Sequence, residues 1–194
     1  MAAKEFDSFR LVGGTALSLN RGHRISVDID LFTDAEYGSV NFKSIDAFLR
    51  NTFNIETSDF KVIGHGKSYY VTDGDASVKL DIYYTEKFIR KAELVEGIRL
   101  ATVEEIIAMK LEVVSNGARK KDLWDLHELL DDFSLNEMIA LHSERYEYSH
   151  DPDLIRRNFL SFDNADDDLD PECLRGKYWE LIKLDLVKFV EANK

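Results

Sequence analysis

Two aspartates, Asp28 and Asp30, stand two positions apart in an alternating run of residues, 25–32. Side chains two positions apart lie on the same face of a β-strand, so this pattern predicts that the two carboxylates are side by side. Their charges repel, and a divalent metal ion held by carboxylate oxygens is one means of compensation. Two solvated aspartates on an exposed sheet face are the alternative that so short a motif leaves open.

The same run predicts a buried face on the other side of the strand. Ile25, Val27, Ile29 and Leu31 alternate with the aspartates, and we expect all four to pack in the core. A strand fixed in this way would hold the two carboxylates in place.

Two other segments have residue types that suit phosphate or metal binding. Gly13-Gly14-Thr15 lies between a short apolar strand and a predicted helix. Glycines allow close approach of the backbone, and N–H groups at a helix start favour phosphate, although a tight strand-to-helix turn explains the glycines equally well. Asp81 is a third carboxylate, on a second alternating strand, residues 77–84. Its alternative role is that of an ordinary exposed strand residue.

The elements that must position these residues fall into two groups. In the amino-terminal part we predict strands, a helix at about 41–51 and two hairpin turns, one between 61–63 and 68–72 and one at Asp73-Gly74. Thr102-Val103-Glu104-Glu105 is a capping-box signature for a helix that runs to about Ser115. Further helices are predicted at about 121–132, 134–146, 152–161 and 171–192. The chain is therefore expected to be an α+β domain, residues 1–100, followed by a helical domain, residues 101–194.

Composition limits the classes of protein to which the chain can belong. It has 194 residues, 44% of them apolar, and a net charge of −12, which argues against a protein that coats nucleic acid by charge alone. No stretch is apolar enough for a membrane span, and the start does not resemble a secretory signal. Cys173 is the single cysteine, which excludes an internal disulfide and a multi-cysteine zinc site. We therefore expect a cytoplasmic protein.

Other features have a structural explanation at this stage. The five histidines are scattered without the helical spacing of metal ligands, so zinc is not expected. Trp124 and Trp179 are expected in the core. The basic cluster Arg119-Lys120-Lys121 is expected at a solvated helix start, although it could steer RNA phosphates, and the acidic residues near 166–170 are expected in a solvated loop.

Taken in order, the motifs resemble a known family. Gly13-Gly14-Thr15, the pair Asp28 and Asp30, and Asp81 resemble the nucleotidyltransferase superfamily that includes DNA polymerase β. More narrowly, residues 11–19 and 22–32 resemble the AbiEii family, the toxin partners of type IV toxin–antitoxin and phage-abortive systems. Residues 104–111 and 119–126 resemble that family's downstream lysine and aspartate motifs. The matching segments extend from about residue 10 to residue 130.

The resemblance implies a polymerase β-like core with a mixed sheet and a two-metal site for nucleotidyl transfer. Asp28 and Asp30 would hold Mg²⁺ ions, and Asp81 would help to bind the metal nearer the attacking hydroxyl and is the candidate acceptor of its proton. Gly13, Gly14 and Thr15 would bind the triphosphate through N–H groups and a hydroxyl.

Three further residues match functional positions of the family. Lys110 would contact a phosphate or the nucleotide, Arg24 would contact phosphate, and Asp122 would be catalytic, with Asp125 the weaker candidate in that motif. Each has a structural alternative: a solvated lysine on an amphipathic helix for Lys110, a strand-edge salt bridge for Arg24, and a helix N-cap for Asp122.

The implied reaction is the transfer of NMP from an NTP to a hydroxyl acceptor with release of pyrophosphate. By analogy with the family, the acceptor is RNA, in particular the tRNA 3′ end, and an antitoxin would act without stable contact. A protein or small-molecule acceptor is the first alternative. A protein that binds NTP without turnover is the second. No membrane partner is expected.

Overall fold

A computed structural model of the chain describes residues 1, 3–58, 64–73 and 76–193. Two compact units share these residues. The first unit comprises the described parts of 1–16 and 27–102, and the second comprises 17–26 and 103–193. The segment 17–26 thus belongs to the second unit, whereas the sequence pattern assigns all of residues 1–100 to one domain.

A mixed sheet forms the framework of the first unit. Its seven strands within the described residues are β1 (Arg10–Val12), β2 (Ile29–Thr33), β3 (Asn54–Ser58), β4 (Gly66–Asp73), β5 (Ala76–Tyr84), β6 (Glu93–Val95) and β7 (Ile98–Leu100), in the spatial order β3-β4-β5-β2-β1-β7-β6. The pairs β2–β5 and β1–β7 are parallel, and the other four are antiparallel. The expected α+β fold with a mixed sheet is confirmed.

Alternation of side chains divides the central strands into a core face and an opposite, half-exposed face. In β2, Leu31 and Thr33 are buried, whereas Asp30 is only partly covered. In β5, Leu80 and Ile82 are buried in the same way, and Asp81 lies between them. Both aspartates therefore lie on the half-exposed face of the sheet.

The strand that carries Asp30 is shorter than the alternating pattern predicts. It begins at Ile29, and the expectation that Ile25, Val27 and Ile29 pack in the core is wrong, because these side chains are 43%, 65% and 36% exposed. The residues before β2 pair elsewhere, since the Ile25 amide donates to the Glu172 carbonyl at 2.9 Å. Asp28 lies just before the strand.

Helix α1 (Gly13–Arg21) follows β1 directly, and helix α2 (Phe42–Thr52) covers the core side of the first unit. The prediction of a helix at 41–51 is confirmed. Asn41 caps this helix by accepting a hydrogen bond from the Ser44 amide at 3.1 Å, and Ile45 and Leu49 bury its apolar face. The predicted strand at 61–63 and Gly74 of the second hairpin turn lie outside the described residues.

The second unit consists of helices in its described part. They are α3 (Val103–Ser115), α4 (Lys120–His127), α5 (Leu135–Arg145), α6 (Pro152–Asn158), α7 (Asp163–Asp166) and α8 (Trp179–Ala192). A capping box starts α5, because Ser134 and Glu137 bond each other's backbone amides. Trp124 and Trp179 are buried and stack with 6.4 Å between ring centroids, which confirms their place in the core.

Two predictions for the second unit are wrong. The predicted helix 171–192 begins only at Trp179, because the preceding segment is tied to residues 23–25: Leu174 donates its amide to the carbonyl of His23 at 2.9 Å. The basic cluster is not fully solvated, because Lys120 is buried and bonds the Asp170 carboxylate at 2.9 Å.

Among the described helices, none is long and apolar enough to cross a bilayer.

Candidate active site

Asp30 and Asp81 are direct neighbours on β2 and β5. The register of the parallel pair aligns Asp30 with Asp81, and Asp30 is in turn aligned with Val12, the last residue of β1. The next residue, Gly13, therefore turns the chain into α1 beside the Asp30 carboxylate. A Cβ atom on Gly13 would lie 2.6 Å from Asp30 Oδ2, and its φ of +68° is in the left-handed region. Position 13 thus favours glycine on both steric and conformational grounds.

The two carboxylate oxygens of Asp81 have different surroundings. Oδ2 accepts a hydrogen bond from Lys79 Nζ at 2.6 Å, and this bond raises the pKa of Lys79. Oδ1 is buried, and no hydrogen-bond partner for it exists among the described residues. A buried carboxylate oxygen without a donor is unfavourable, so the site is suited to an additional cationic or proton-donating group.

The first turn of α1 also contacts the segment that leads into β2. The Thr15 hydroxyl donates a hydrogen bond to the backbone carbonyl of Asp28. Gly14 lies in the first turn of α1, where backbone N–H groups lack partners within the helix. Gly13, Gly14 and Thr15 are therefore next to the carboxylates that the sequence singled out.

Hard oxygen donors of this kind fit Mg²⁺. Mg²⁺ is commonly bound through one or two carboxylates, with the other positions filled by water and substrate phosphates. Asp30 and Asp81 provide such a pair, and the buried Asp81 Oδ1 provides an oxygen that needs a partner. In the part of the chain that the structure describes, no group of three or more His, Cys, Asp or Glu side chains is arranged to hold a metal ion.

The second unit contains a separate charged cluster, centred on Lys110. Its ammonium group lies 2.6 Å from Asp122 Oδ1 and 2.7 Å from Asp125 Oδ2. The side chains of Lys110, Asp122 and Asp125 are only 8%, 2% and 0% exposed. Burial lowers the pKa of Lys110, but the two carboxylate charges outweigh this effect, so the net shift is upward.

Asp125 is the most highly connected residue of this cluster. Arg24 binds it in a bidentate manner, with Nε 2.6 Å from Oδ1 and the second guanidinium nitrogen 2.8 Å from Oδ2. His23 Nε2 is also 2.8 Å from Oδ1. Burial alone would raise the pKa of Asp125, but Lys110, Arg24 and His23 together hold it well below its usual range.

The buried cluster excludes the structural alternatives that the sequence left open for Lys110, Asp122 and Arg24. Lys110 is not a solvated lysine, because it is buried. Asp122 is not an N-cap, since Arg119 holds that position and Asp122 follows three residues later. The salt bridge of Arg24 is buried with Asp125 rather than lying at a strand edge.

Sequence reasoning gave little weight to Lys79 and Asp125. Lys79 stands two positions from Asp81 on one strand, so the pattern did contain the signal for its contact. The contact between His142 and His150, with 2.9 Å between their Nδ1 atoms, was not predicted from the sequence. That contact depends on the turn between α5 and α6, for which the sequence has no clear motif.

Comparisons with known proteins agree with this fold. The family model described as the nucleotidyl transferase AbiEii toxin of type IV toxin–antitoxin systems matches residues 1–192. An uncharacterized Aquifex aeolicus protein, aq_aa25, is 27% identical in an alignment of 185 residues that covers 91% of this chain and 84% of that protein.

Two solved structures are similar over nearly the whole chain. JHP933 from Helicobacter pylori has a TM-score of 0.60 at 23% identity and covers 97% of this chain and 84% of its own. MenT4, a nucleotidyltransferase toxin from Mycobacterium tuberculosis, has a TM-score of 0.60 at 14% identity and covers 95% of this chain and 76% of its own. These likenesses show a shared fold. Because the family model spans nearly all of the sequence, the chain is a nucleotidyltransferase that belongs to the AbiEii family of type IV toxins.

Proposed function

We propose that this nucleotidyltransferase moves NMP from an NTP to a hydroxyl group of RNA, in a Mg²⁺-dependent reaction in the cytoplasm. The observation that carries the proposal is the alignment of Asp30 with Asp81 beside the Gly13 turn. It combines a pair of metal-binding oxygens with a backbone turn suited to phosphate, and nucleotidyl transfer needs both.

The carboxylates are the proposed metal ligands. Asp30 and Asp81 would hold Mg²⁺, and the carboxylate of Asp28, just before β2, would join them on metal binding, since the described residues contain no preformed group of three such side chains. Bound Mg²⁺ would neutralise charge on the entering and leaving oxygens of the phosphoryl group. The Asp81 Oδ1 atom, which is buried without a partner among the described residues, supports this assignment.

The turn at residues 13–15 is the proposed triphosphate site. Backbone N–H groups of Gly13 and Gly14 and the first turn of α1 would face the phosphates, which suits anions because of the helix dipole. Thr15 would help to hold the turn through its hydrogen bond to the Asp28 carbonyl.

The transfer step itself is a displacement at the α-phosphorus of the NTP. The acceptor hydroxyl oxygen forms a bond to this phosphorus, the bond to the bridging oxygen of the β-phosphate breaks, and pyrophosphate leaves. We assign Asp81 as the group that accepts the hydroxyl proton. A general base of this kind must lie within hydrogen-bond reach of the hydroxyl from which it takes the proton.

We assign Lys110, Asp122 and Arg24 a positioning role within the second unit. The ammonium group of Lys110 is bound by two carboxylates at 2.6 and 2.7 Å, and Arg24 is bound to Asp125 through two nitrogens. Two of the three N–H donors of Lys110 are bound to carboxylates and its side chain is only 8% exposed, which favours a positioning role over direct contact with a phosphate. Type IV toxin membership implies an antitoxin, which we propose to act without stable contact.

The test is a labelling reaction with purified protein, Mg²⁺, each radiolabelled NTP in turn, and total cellular RNA. Wild-type protein is expected to label a band of tRNA size with one NTP, and Asp30→Asn is expected to lose this labelling. Asp7→Asn is the matched control, because Asp7 is an exposed residue of the same unit, outside the site. Omission of Mg²⁺ should abolish the signal in both active proteins.

The alternatives predict different patterns. Label in a protein band of a cell extract, or in a small molecule, would replace RNA as the acceptor while keeping the chemistry. NTP binding without a labelled product under any divalent metal would indicate a protein that binds without turnover. Full activity of Asp30→Asn would contradict the site.

A further inference from the structure

An aromatic cavity opens in the first unit where the parallel strands β2 and β5 end. Its volume is about 560 Å³, within the usual size range of small-molecule sites. Phe32, Tyr37, His65, Tyr83, Tyr84 and Glu86 are among the residues that line it. None of the residues assigned to the transfer reaction is among those that line this cavity.

The rings that line the cavity form two groups, one around Tyr83 and one around Tyr37. The ring centroids of Phe32 and Tyr83 are 6.1 Å apart, and those of Tyr37 and Tyr84 are 5.2 Å apart. Tyr37 also contacts His65 at 5.7 Å between centroids. The Tyr37 side chain is 66% exposed, so one of its sides is open to a flat ligand. Such surfaces bind unpaired bases by stacking, because every base has a π-face.

The Tyr83 ring packs against the neighbouring strand β4. Gly66 is its partner on β4, and a Cβ atom on Gly66 would lie 2.4 Å from the Tyr83 ring. The glycine thus leaves room for the ring to lie against the backbone. The Tyr83 hydroxyl is also hydrogen-bonded to Ser68 Oγ at 3.0 Å.

The cavity lies beyond the carboxylates, on the side away from the glycine turn. Because β1 and β2 are antiparallel, Gly13 and Thr15 lie towards the start of β2, as the bond from Thr15 to the Asp28 carbonyl shows. Phe32 and Tyr83 are also register partners, each two residues beyond Asp30 or Asp81. With a rise of about 3.3 Å per residue, they are about 7 Å further along the strands on the same face.

This order along the strands decides which substrate the cavity would take. Attack on phosphorus is in line, with the attacking and leaving oxygens on opposite sides. If the triphosphate lies at the glycine turn, the attacking hydroxyl enters from the side of Phe32 and Tyr83. The base next to that hydroxyl is then the one that reaches the aromatic surface.

The polar residues of the cavity suit a base and not a phosphate. Glu86 is negatively charged, and neither lysine nor arginine is among the described residues that line the cavity. A carboxylate repels phosphate but accepts hydrogen bonds from amino groups at the edge of a base. Thr85 and His65 add further hydrogen-bonding groups at the same rim.

We propose that this cavity binds the terminal nucleobase of the strand that accepts the nucleotide, by stacking on Phe32, Tyr37 and Tyr83. The inference rests on the proposed transfer to RNA, and it names the part of the RNA that the first unit binds. An acceptor with an unpaired 3′-terminal base meets this requirement, whereas a paired end presents no free face.

The test compares two single-stranded oligoribonucleotides of 12 residues, one with a 3′-terminal 2-aminopurine and one with an abasic 3′ terminus. Binding is measured by fluorescence anisotropy of a 5′ dye in the presence of Mg²⁺ and a non-hydrolysable NTP. Tyr37→Ala is the main variant because its side chain is exposed. Tyr37→Phe keeps the ring but removes the hydroxyl, which donates to the Gly64 carbonyl at 3.2 Å. Tyr148→Ala, fully exposed in the second unit, is the control.

We expect Tyr37→Ala to weaken binding of the 2-aminopurine strand about 10-fold, as is typical for the loss of one stacking partner. Tyr37→Phe and Tyr148→Ala should bind as the wild type does. Wild type should bind the abasic strand at least about 10-fold more weakly than the 2-aminopurine strand, and Tyr37→Ala should distinguish the two less strongly, because one stacking partner of the base is already missing. Phe32→Leu, which keeps apolar bulk without a ring, should resemble Tyr37→Ala.

Several outcomes would overturn the inference. One is equal binding of the two strands by the wild type, and another is an unchanged affinity of Tyr37→Ala. A raised KM for NTP in Tyr37→Ala, at unchanged affinity for the strand, would assign the cavity to the donor base instead. Because binding needs no turnover, base-dependent binding without transfer would support the cavity and contradict the proposed RNA reaction. Transfer with no effect of Tyr37→Ala would do the reverse.

Discussion

Lys110 Nζ and Asp122 Oδ1, which are 12 positions apart in the chain, lie 2.6 Å from each other in an almost completely buried position. The pair connects α3 to the first turn of α4. Asp125, one turn further along α4, takes a second bond from the same ammonium group at 2.7 Å. In this chain a direct contact therefore joins the segment of Lys110 to that of Asp122 and Asp125.

Replacement of Lys110 by Met is expected to lower the free energy of unfolding by about 3–5 kcal/mol, because it leaves two buried carboxylates without their shared cation. Arg24 still pairs with Asp125, and Arg119 still pairs with Asp122 at 3.2 Å, so the loss should lie at the lower end. Urea unfolding followed by far-UV circular dichroism measures this change.

Lys188→Met is the matched control, since Lys188 is mostly exposed and its ion pair with Asp185 is long, at 3.9 Å. It should change stability by less than about 0.5 kcal/mol. Wild-type stability of Lys110→Met together with complete loss of transfer would contradict the positioning role. That result would instead assign Lys110 to direct contact with the nucleotide.

Gly13→Ala and Gly22→Ala separate backbone strain from crowding at the site. Both glycines have positive φ, +68° and +60°, but only a Cβ on Gly13 meets another group, the Asp30 carboxylate. Each variant should lose about 1–3 kcal/mol of stability from the left-handed conformation. Gly13→Ala should in addition lose at least about 10-fold in kcat/KM because Asp30 must move, a change of about 1.4 kcal/mol in the transition state.

The measurements are urea unfolding and steady-state transfer kinetics of both variants at the same Mg²⁺ concentration. Equal activity of the two variants would show that displacement of Asp30 does not affect the reaction. The proposed phosphate site at the turn would then lose its main steric argument.

Lys79→Met tests whether the lysine competes with metal for Asp81. The Lys79 ammonium group lies 2.6 Å from Asp81 Oδ2, so removal of its charge should make the carboxylate more available to Mg²⁺. The half-saturating Mg²⁺ concentration for transfer is expected to fall roughly two- to fivefold, the range of a partly exposed ion pair. Lys91→Met, at an exposed position of the same unit, should leave it unchanged.

A higher Mg²⁺ requirement in Lys79→Met would have the opposite meaning. Lys79 would then hold Asp81 in the orientation that the metal needs. Because both results are measured as a shift in one titration, the experiment distinguishes competition from orientation.

Local patterns were sufficient to predict the part of the site that lies on regular elements. Alternation in residues 77–84 gave the strand of Asp81, and the helix at 41–51 followed from its apolar spacing and from Asn41. The proximity of Asp30 and Asp81 required in addition the parallel pairing of β2 and β5. Alternation does not identify the neighbour of a strand, so this parallel pairing was not predicted.

Tertiary contacts explain what the patterns did not predict. The alternating pattern predicts a strand from Ile25, but the backbone of residues 23–25 pairs with residues 172–174, so β2 starts later and Val27 is exposed. The same contact keeps residues 171–178 out of helix α8. Partners more than a hundred residues away in the sequence override local propensity in both places.

The stability of the second unit should depend on pH through the buried His142. Burial lowers the pKa of His142, although Glu112 at 2.9 Å from Nε2 partly opposes this effect. The unfolded chain binds a proton at this histidine near pH 6.5, whereas the folded protein binds it only at lower pH. The unfolded state therefore binds more protons in that interval, and the free energy of unfolding should fall as pH decreases from 7 to 5.

His142→Gln should flatten this decrease, because glutamine does not titrate, and urea unfolding at pH 5, 6, 7 and 8 measures the slope. His65→Gln, at an exposed position of the first unit, should keep the wild-type slope. The Nδ1 atom of His150 lies 2.9 Å from Nδ1 of His142, so a positive charge on His150 further disfavours protonation of His142. A wild-type slope in His142→Gln would contradict this assignment and place the pH dependence in other groups.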